Sequence, residues 1–418
     1  MQSYSIQTIH WMFRLLFVSF FLPPVIQTWL FIACTTLTVI MAIAYRIKLT
    51  LQECCLAGLL GVGYLFYLAY LPLTTPEMRY LLYQLLERKI ALFCLPFVIP
   101  LLLKMSNNSF QSSLKWFVGA NLLHGVCTNG LVFYQLLQHF TFSSIHHVTY
   151  RETFDEIGHI HPTYYGMFCC FSLVILLYDR SFKSLHYLAL LSIHFLFILL
   201  LLLLSPKISL LIAGLIYLYY FLFVLSWKPI YKGAMFAIAC LSLLGLYFLL
   251  PSFQQRIDEV ISFGMHPNTL MIDNSMQFRQ LILQVDLNLL RQFWLWGLGP
   301  VQLQQHLDMT YLLMSKVTGM GFYSYNTHNE WLNQWLCFGL AGFLYFVGIF
   351  VIHLKKALQQ RHFLYLFFII ILMLTCLTEN ILSRQSGILF MALFGSLFYF
   401  EGVRGKLKNG DLGDLKKS

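Results

Sequence analysis

Residues 186–204 read HYLALLSIHFLFILLLLLL, a run that contains no Asp, Glu, Lys or Arg. About 20 apolar residues are enough for a helix to cross the hydrocarbon core of a bilayer, so this stretch alone is long enough to span one. Similar runs recur at residues 10–22, 26–45, 54–71, 89–103, 114–138, 162–178, 208–226, 233–250, 327–353, 363–378 and 386–400. The sequence therefore predicts an all-α, polytopic membrane protein with about 12 transmembrane helices.

The composition supports this class and excludes others. Of 418 residues, 59% are hydrophobic and 11% are charged, whereas soluble domains average about 45–50% and about 25%. The net charge of +10 would indicate a nucleic-acid ligand in a soluble protein. Here the net charge is explained by the excess of Lys and Arg that cytoplasmic loops of membrane proteins carry, so no nucleic-acid partner is expected. The ten cysteines lie almost entirely in apolar runs without a CxxC pair, so they indicate packing and not zinc or redox chemistry.

The distribution of Lys and Arg predicts the orientation. Short connections on one side of the predicted spans carry more basic residues than far longer ones on the other, which places both termini in the cytoplasm. Pro23 and Pro24 mark either a tight loop or a kink between the first two runs. We expect four segments: helices 1–9 in 1–250, a large outside loop in 251–326, helices 10–12 in 327–400, and a basic cytoplasmic tail in 401–418.

The large loop lies between the ninth and tenth spans and is far longer than an ordinary connection, so we interpret it as a small functional subdomain. Its aromatic stretch Phe293–Pro300 could lie along the membrane interface. A second outside loop, 139–161, carries five histidines.

The tenth span opens with the polar residues Asn326-Thr327-His328-Asn329-Glu330, followed by Asn333 and Gln334. Such groups are costly at the start of a lipid-embedded helix unless they face a cavity or partners, so they indicate a functional site. The alternative is an ordinary polar helix end that is capped by Thr327, with His328 hydrogen-bonded there.

These residues carry a resemblance. His328-Asn329, nine residues, then Gly339-x-x-Gly342 resembles the His-[Asn/Ser/Gln]-x9-Gly-x-x-[Gly/Thr/Tyr] signature of the O-antigen ligases, and Arg279-x3-Leu283 resembles their loop motif. That family joins a lipid-carried O-polysaccharide to lipid A–core at the periplasmic face of Gram-negative inner membranes. The resemblance covers roughly residues 160–400, and it implies that the large loop is periplasmic.

The chain departs from the family at one position. Members commonly carry an arginine at the outer mouth between the seventh and eighth spans, where this chain has Lys207. Lysine keeps the charge but lacks the planar fork that suits phosphate. The alternative is an interfacial lysine whose ammonium reaches the headgroups.

The resemblance implies an inverting, metal-independent single displacement that needs no cofactor. The donor would be an undecaprenyl-pyrophosphate-linked glycan, and the acceptor a sugar hydroxyl of lipid A–core. Lys207 and Arg279 would stabilise the leaving diphosphate. His328 would be the catalytic base, because histidine has a suitable ordinary pKa for that task.

Further candidates for substrate binding flank the same outer side. Asn329 belongs to the motif, while His161 and Tyr164 open the sixth span. The alternatives there are a metal site at His159 and His161 or an interfacial aromatic belt. Glu379 and Arg384 frame the last outside turn, where they could orient the site or pin two helices.

Four readings compete. The ligase is favoured because both of its motifs match, and the alternative is a polymerase that joins lipid-linked repeat units on the same scaffold. An oligosaccharide transferase with protein acceptors usually carries extra C-terminal mass. A transporter of lipid-linked sugars would concentrate polar groups at the bilayer midplane and would show repeated halves. This sequence instead clusters its polar groups at one outer surface and shows no repeat.

Overall fold

The protein is helical throughout the part described. The computed structural model describes residues 2–106, 110–138, 147–179, 182, 185–249, 253–255, 257–258, 261, 275–318 and 325–414, and no strand occurs among them. The α-helices of these ranges, in chain order, are α1 (Gln2–Ser19), α2 (Pro24–Ala44), α3 (Leu51–Ala69), α4 (Arg79–Lys89), α5 (Ala91–Met105), α6 (Leu114–Leu137), α7 (His147–Gly158), α8 (Pro162–Tyr178), α9 (Tyr187–Leu204), α10 (Lys207–Tyr219), α11 (Pro229–Leu249), α12 (Ser275–Phe293), α13 (Gln302–Thr318), α14 (Glu330–Gln360), α15 (Phe363–Cys376) and α16 (Gln385–Asp414). The all-α class is confirmed.

A helix overlaps each of the twelve predicted spans. Five helical segments of the described residues are long and apolar enough to cross a membrane: α2, α3, α9, Lys207–Val224 and α14. Two bent helix pairs raise this number to seven if each pair counts as one span; one is Val148–Gly158 with Pro162–Tyr178, bent by 77°. Length and composition therefore support a membrane protein, and the count of twelve stays a prediction.

The start of the chain forms two helices and not one kinked helix. Helix α1 ends at Ser19 and α2 begins at Pro24, where a proline at the first helical position is well tolerated. Phe20, in the connection, meets Phe31 of α2 edge-on with ring centroids 6.0 Å apart. The two prolines therefore mark a tight connection.

The chain divides into two compact units. The first unit comprises Met1–Phe20, Pro24–Leu114 and Leu281–Ser418, and the second comprises Phe21–Pro23 and Lys115–Gln280. The predicted division into four segments follows membrane topology and stays a prediction.

Aromatic side chains fill the core of the first unit. Phe17 of α1 stacks on Phe394 of α16 with centroids 5.1 Å apart, and Phe20 meets Phe390 edge-on at 6.0 Å. Such ring pairs add to the free energy already gained from burying their apolar area. They fix α16 against the N-terminal helices of this unit.

Helix α8 is the centre of the second unit, because every side chain from Pro162 to Leu176 is buried. Two of its polar side chains bond to α6: Asn121 donates to the Ser172 hydroxyl at 2.8 Å, and the Tyr165 hydroxyl donates to the Asn121 carbonyl at 3.0 Å. This packing gives the N-terminal end of α8, where the predicted site residues lie, a rigid support.

The predicted tenth span is interrupted. Gly339 has φ +65° and ψ −160° inside α14, and a Cβ added there would lie 2.1 Å from the Leu295 carbonyl oxygen. The segment between α12 and α13 pairs with the break: Leu340 N–H donates to Leu295 O (3.1 Å) and Leu298 N–H to Leu336 O (2.7 Å). The first half of α14, which carries the predicted site, is therefore anchored to the large loop.

The aromatic stretch of that loop supplies this anchor. The Trp335 indole of α14 donates to Trp294 O, and the Tyr70 hydroxyl donates to Trp296 O, both at 2.9 Å. The Trp296 side chain itself is 80% exposed. The location of this side chain at headgroup depth stays a prediction. The backbone of Trp296 is hydrogen-bonded within the first unit.

Candidate active site

The polar start of α14 is capped by Asn329. Its Oδ1 accepts a hydrogen bond from the Leu332 N–H at 3.1 Å, which satisfies one of the free N–H groups at the helix start. Thr327, the cap in the alternative interpretation, donates its hydroxyl to Asn380 Oδ1 at 2.9 Å. Asn329 was predicted to bind substrate. Its Oδ1 already accepts one hydrogen bond, and a contact with substrate stays a prediction.

His328 has a constrained backbone and a partly accessible ring. Its φ of +44° lies in the left-handed region that residues other than glycine rarely adopt, and its N–H donates to Asn326 Oδ1 at 3.0 Å. Nδ1 of the ring lies 3.7 Å from Glu379 Oε2, and the two side chains are 29% and 9% exposed. Strained backbone of this kind is typical of sites whose surroundings hold one side chain in place.

Three contacts join the segment that contains His328 to the segment that precedes α16. Thr327 bonds Asn380, His328 faces Glu379, and the Leu382 N–H donates to Glu330 Oε2 at 2.8 Å. We call residues 327–330 and 379–382 the histidine turn. The structure thus brings together His328, Asn329 and Glu379 of the predicted site.

A buried polar network joins Lys89 and Glu330 through the backbone of Leu382 and supports the histidine turn. Glu330 is fully buried and Lys89, the last residue of α4, nearly so. Lys89 donates to the Leu382 carbonyl, and its Nζ lies 4.5 Å from the centroid of the Tyr67 ring. The Gln334 amide donates to Glu330 Oε1 at 2.6 Å and to the Tyr67 hydroxyl at 3.2 Å. Because buried charges are costly unless they are paired and hydrogen-bonded, this network fixes the backbone beside His328.

Sequence reasoning missed this network. Glu330 was noted only as one of several polar residues at a helix start, although a carboxylate at the start of an apolar helix was a usable signal. Nothing in the sequence points to Lys89 as its partner, because α4 and α14 lie far apart in the chain.

Arg384 lies at the other end of the same turn. It is exposed, follows the short 3-10 helix Ile381–Ser383 and immediately precedes α16. Beside it, the Gln385 amide donates to the Thr28 hydroxyl at 2.6 Å, which ties the start of α16 to α2. The predicted pairing of Arg384 with Glu379 stays a prediction.

Three other predicted residues share one end of the second unit. Lys207 is the first residue of α10, after Ser205 with φ +44°. His161 caps α8, its Nδ1 accepting from Thr163 N–H at 3.4 Å, and its ring lies 6.1 Å from that of the buried Tyr164.

The N-terminal ends of α8 and α10 approach closely. A Cβ added to Gly166 would lie 2.5 Å from Ser209 Oγ and 2.7 Å from Pro206. Helix N-termini carry a partial positive charge and unpaired N–H groups, so two of them beside Lys207 favour an anion. We call residues 161–166 and 205–209 the lysine turn.

Arg279 lies near the start of α12 and is half-buried. By its contacts it belongs to the second unit, whereas His328 belongs to the first.

The described residues contain no group of three or more His, Cys, Asp and Glu side chains that could hold a metal ion. The alternative metal site at His159 and His161 therefore has no third ligand of these types among them. His139 and His146 lie outside the described residues.

No protein-family model matches this chain, and no curated protein matches it. The function is therefore inferred from the chain's own residues and from the motifs they form.

Proposed function

We propose that this chain is an O-antigen ligase-like glycosyltransferase of the bacterial inner membrane. It would move a polysaccharide from an undecaprenyl-pyrophosphate carrier to a sugar hydroxyl of lipid A–core at the periplasmic face. The observation that carries the proposal is the histidine turn: His328, the histidine of the ligase-like motif, is held in a left-handed conformation 3.7 Å from the Glu379 carboxylate.

In the proposed reaction, His328 is the general base. The acceptor hydroxyl gives its proton to the imidazole while its oxygen bonds to the anomeric carbon of the donor. The bond from that carbon to the diphosphate oxygen breaks, and its electron pair leaves with the diphosphate. Because Nδ1 faces Glu379, Nε2 would take the proton, and the carboxylate would stabilise the imidazolium that results. Attack opposite the leaving group inverts the anomeric centre.

Lys207 and Arg279 are proposed to stabilise the diphosphate. Negative charge grows on this group as the glycosidic bond breaks, so a cation that is already in place lowers the barrier. The position of Lys207 at the first residue of α10 supports its role, because the helix N-terminus attracts the same anion. His161, Tyr164, Asn329, Glu379 and Arg384 would position donor and acceptor. The reaction is proposed to need neither metal nor cofactor.

The proposal includes the topology predicted above: twelve spans, cytoplasmic termini and a periplasmic loop at 251–326. The helices that overlap all twelve predicted spans support it. Labelling of single cysteines introduced into the loop by a membrane-impermeant reagent tests this topology. Loop positions should react in intact spheroplasts, and positions in the C-terminal tail should react only after lysis.

A complementation experiment tests the function. A strain without this gene would receive the native protein, His328→Ala, or His306→Ala as a control for an exposed histidine elsewhere in the loop. A ligase predicts that His328→Ala leaves lipid A–core without polymer while long chains accumulate on the lipid carrier, and that His306→Ala restores the polymer.

Two outcomes would contradict this reading. Accumulation of single repeat units on the carrier would identify a polymerase, which uses the same donor chemistry with another acceptor. An unchanged glycolipid ladder with His328→Ala, at native protein levels, would remove the catalytic assignment.

A further inference from the structure

The helices of the predicted outside loop line a cleft that contains no residue of the histidine turn. It lies between α12 and α13 in the first unit and has a volume of about 320 Å³, within the range of small-ligand sites. Four uncharged polar side chains line it, Gln284, Asn288, Gln292 and Thr310, and the remaining lining residues are apolar. No charged side chain contributes to the lining.

The polar groups form a regular row along α12. Gln284, Asn288 and Gln292 recur every four residues, so successive amides are roughly 6 Å apart along the helix axis. All three are exposed. Each amide both donates and accepts hydrogen bonds, which suits the hydroxyl groups along the edge of a sugar chain. Leu289 within the row, and Leu281 one turn before it, offer apolar surface to the C–H face of a sugar ring.

The one acidic residue of α12 does not add charge to the cleft lining. Asp286 lies on α12 between two of the amides, but it is fully buried and does not line the cleft. Burial raises the pKa of its carboxyl to about 8, so this group is mostly protonated at neutral pH. A cleft without charged side chains offers no counterion to a phosphate or carboxylate ligand and therefore favours an uncharged one.

We propose that the cleft between α12 and α13 binds an uncharged stretch of a saccharide chain along the amide row of α12. This proposal rests on the proposed function, which supplies two sources of such a chain. One is the polymer of the donor beyond its reacting sugar, and the other is the sugar chain of the acceptor.

Binding to the full-length protein in nanodiscs tests the proposal. The probes are delipidated polysaccharide released from the host strain, its phosphate-free core oligosaccharide, and an acidic polysaccharide of similar length. The triple variant Gln284→Ala/Asn288→Ala/Gln292→Ala should bind the matching neutral probe at least about tenfold more weakly, because three hydrogen-bonding groups are lost. Gln305→Ala removes an exposed amide on α13 outside the cleft and should bind like the native protein.

The probe that responds identifies the source. Weaker binding of the released polysaccharide assigns the cleft to the donor polymer, and weaker binding of the core oligosaccharide assigns it to the acceptor. Asn288→Trp, which fills the cleft, should give the same loss. Equal binding of both neutral probes to native and triple variant, or equally tight native binding of the acidic polymer, overturns the proposal.

The two proposals fail separately. His328→Ala should keep native saccharide binding, because His328 does not line the cleft. If the complementation experiment excludes a ligase but the triple variant still binds saccharide more weakly, the assignment of the cleft stands. If the triple variant binds saccharide like the native protein, the cleft proposal fails and the ligase proposal is unaffected.

Discussion

The histidine turn and the lysine turn are both helix starts that follow a non-glycine residue with φ near +44°, yet they are built for opposite charges. The histidine turn holds the Glu379 carboxylate beside His328. The lysine turn holds Lys207 at the closely packed starts of two helices. In the proposed reaction, the first region would therefore stabilise a cation that forms on the imidazole, and the second would attract an anion.

The two turns also differ in how they are held. Long-range polar contacts fix the histidine turn, including Glu330 with Leu382 and Thr327 with Asn380. The lysine turn depends on close steric packing at Gly166. Substitutions should therefore disrupt the histidine turn by leaving polar or charged groups without partners, and the lysine turn by making atoms overlap.

The largest effect on stability is expected from Glu330→Gln. It removes the carboxylate that accepts from the Leu382 N–H and attracts the buried Lys89 ammonium, and the loss of a hydrogen bond to a charged group costs about 1.5–3 kcal/mol. The thermal midpoint of the purified protein should fall clearly, while Glu77→Gln, at an exposed position, should leave it unchanged.

The double variant Lys89→Met/Glu330→Leu sharpens this prediction. It removes both charges and should recover most of the stability lost in Glu330→Gln. A double variant less stable than Glu330→Gln would show that the two buried charges do not act together in supporting the histidine turn.

Lys207→Ala tests the anion site of the lysine turn. The variant should transfer glycan about 10–100-fold more slowly, because a charge-assisted hydrogen bond contributes about 1.5–3 kcal/mol. Lys207→Arg should retain the native rate or exceed it, since the guanidinium fork matches phosphate better. Lys316→Ala, at an exposed lysine of α13, is the control. Equal transfer by Lys207→Ala and the native protein would rule out the proposed role.

Gly166→Ala tests the packing of the same turn. Its Cβ would overlap Ser209 and Pro206, so the starts of α8 and α10 must separate, at a cost of about 1–3 kcal/mol. The thermal midpoint should fall and transfer should weaken. Gly214→Ala is the matched control, because nothing lies within 4 Å of a Cβ added there. Identical midpoints for the two variants would contradict the close approach.

The smallest effect is expected from Asn329→Ala. Loss of a helix N-cap costs about 0.5–2 kcal/mol, and Asn329→Ser should restore most of it because serine also caps. The thermal midpoint distinguishes these variants. If Asn329→Ser recovers stability but not transfer, Asn329 also contacts substrate, as the motif predicts.

The helices could be predicted from the sequence to a large extent. Apolar runs alone predicted positions that helices occupy in the structure, because burial in lipid or protein needs only continuous apolar length. The break of α14 could not be predicted in this way. It depends on hydrogen bonds from the distant segment at Leu295 and Leu298, which no local pattern reports.

The candidate site was predictable residue by residue but not as an arrangement. His328 and Glu379 were separate candidates, and their contact depends on two distant helix ends. The interpretation of Asn329 as a ligand stays a prediction, and the structure adds that it caps α14, which the sequence did not indicate. Lys89 was missed because a lysine at the end of a polar helix is ordinary until its neighbours are known.

One measurement tests the central claim that the histidine turn holds the catalytic base. Purified protein in nanodiscs would be given an undecaprenyl-diphosphate glycan and a lipid A–core acceptor, and a single turnover would be followed for the native protein, His328→Ala and His306→Ala. The account predicts transfer that is about 10²–10⁴-fold slower for His328→Ala, with a native thermal midpoint and a native rate for His306→Ala. Transfer by His328→Ala at the native rate would contradict it.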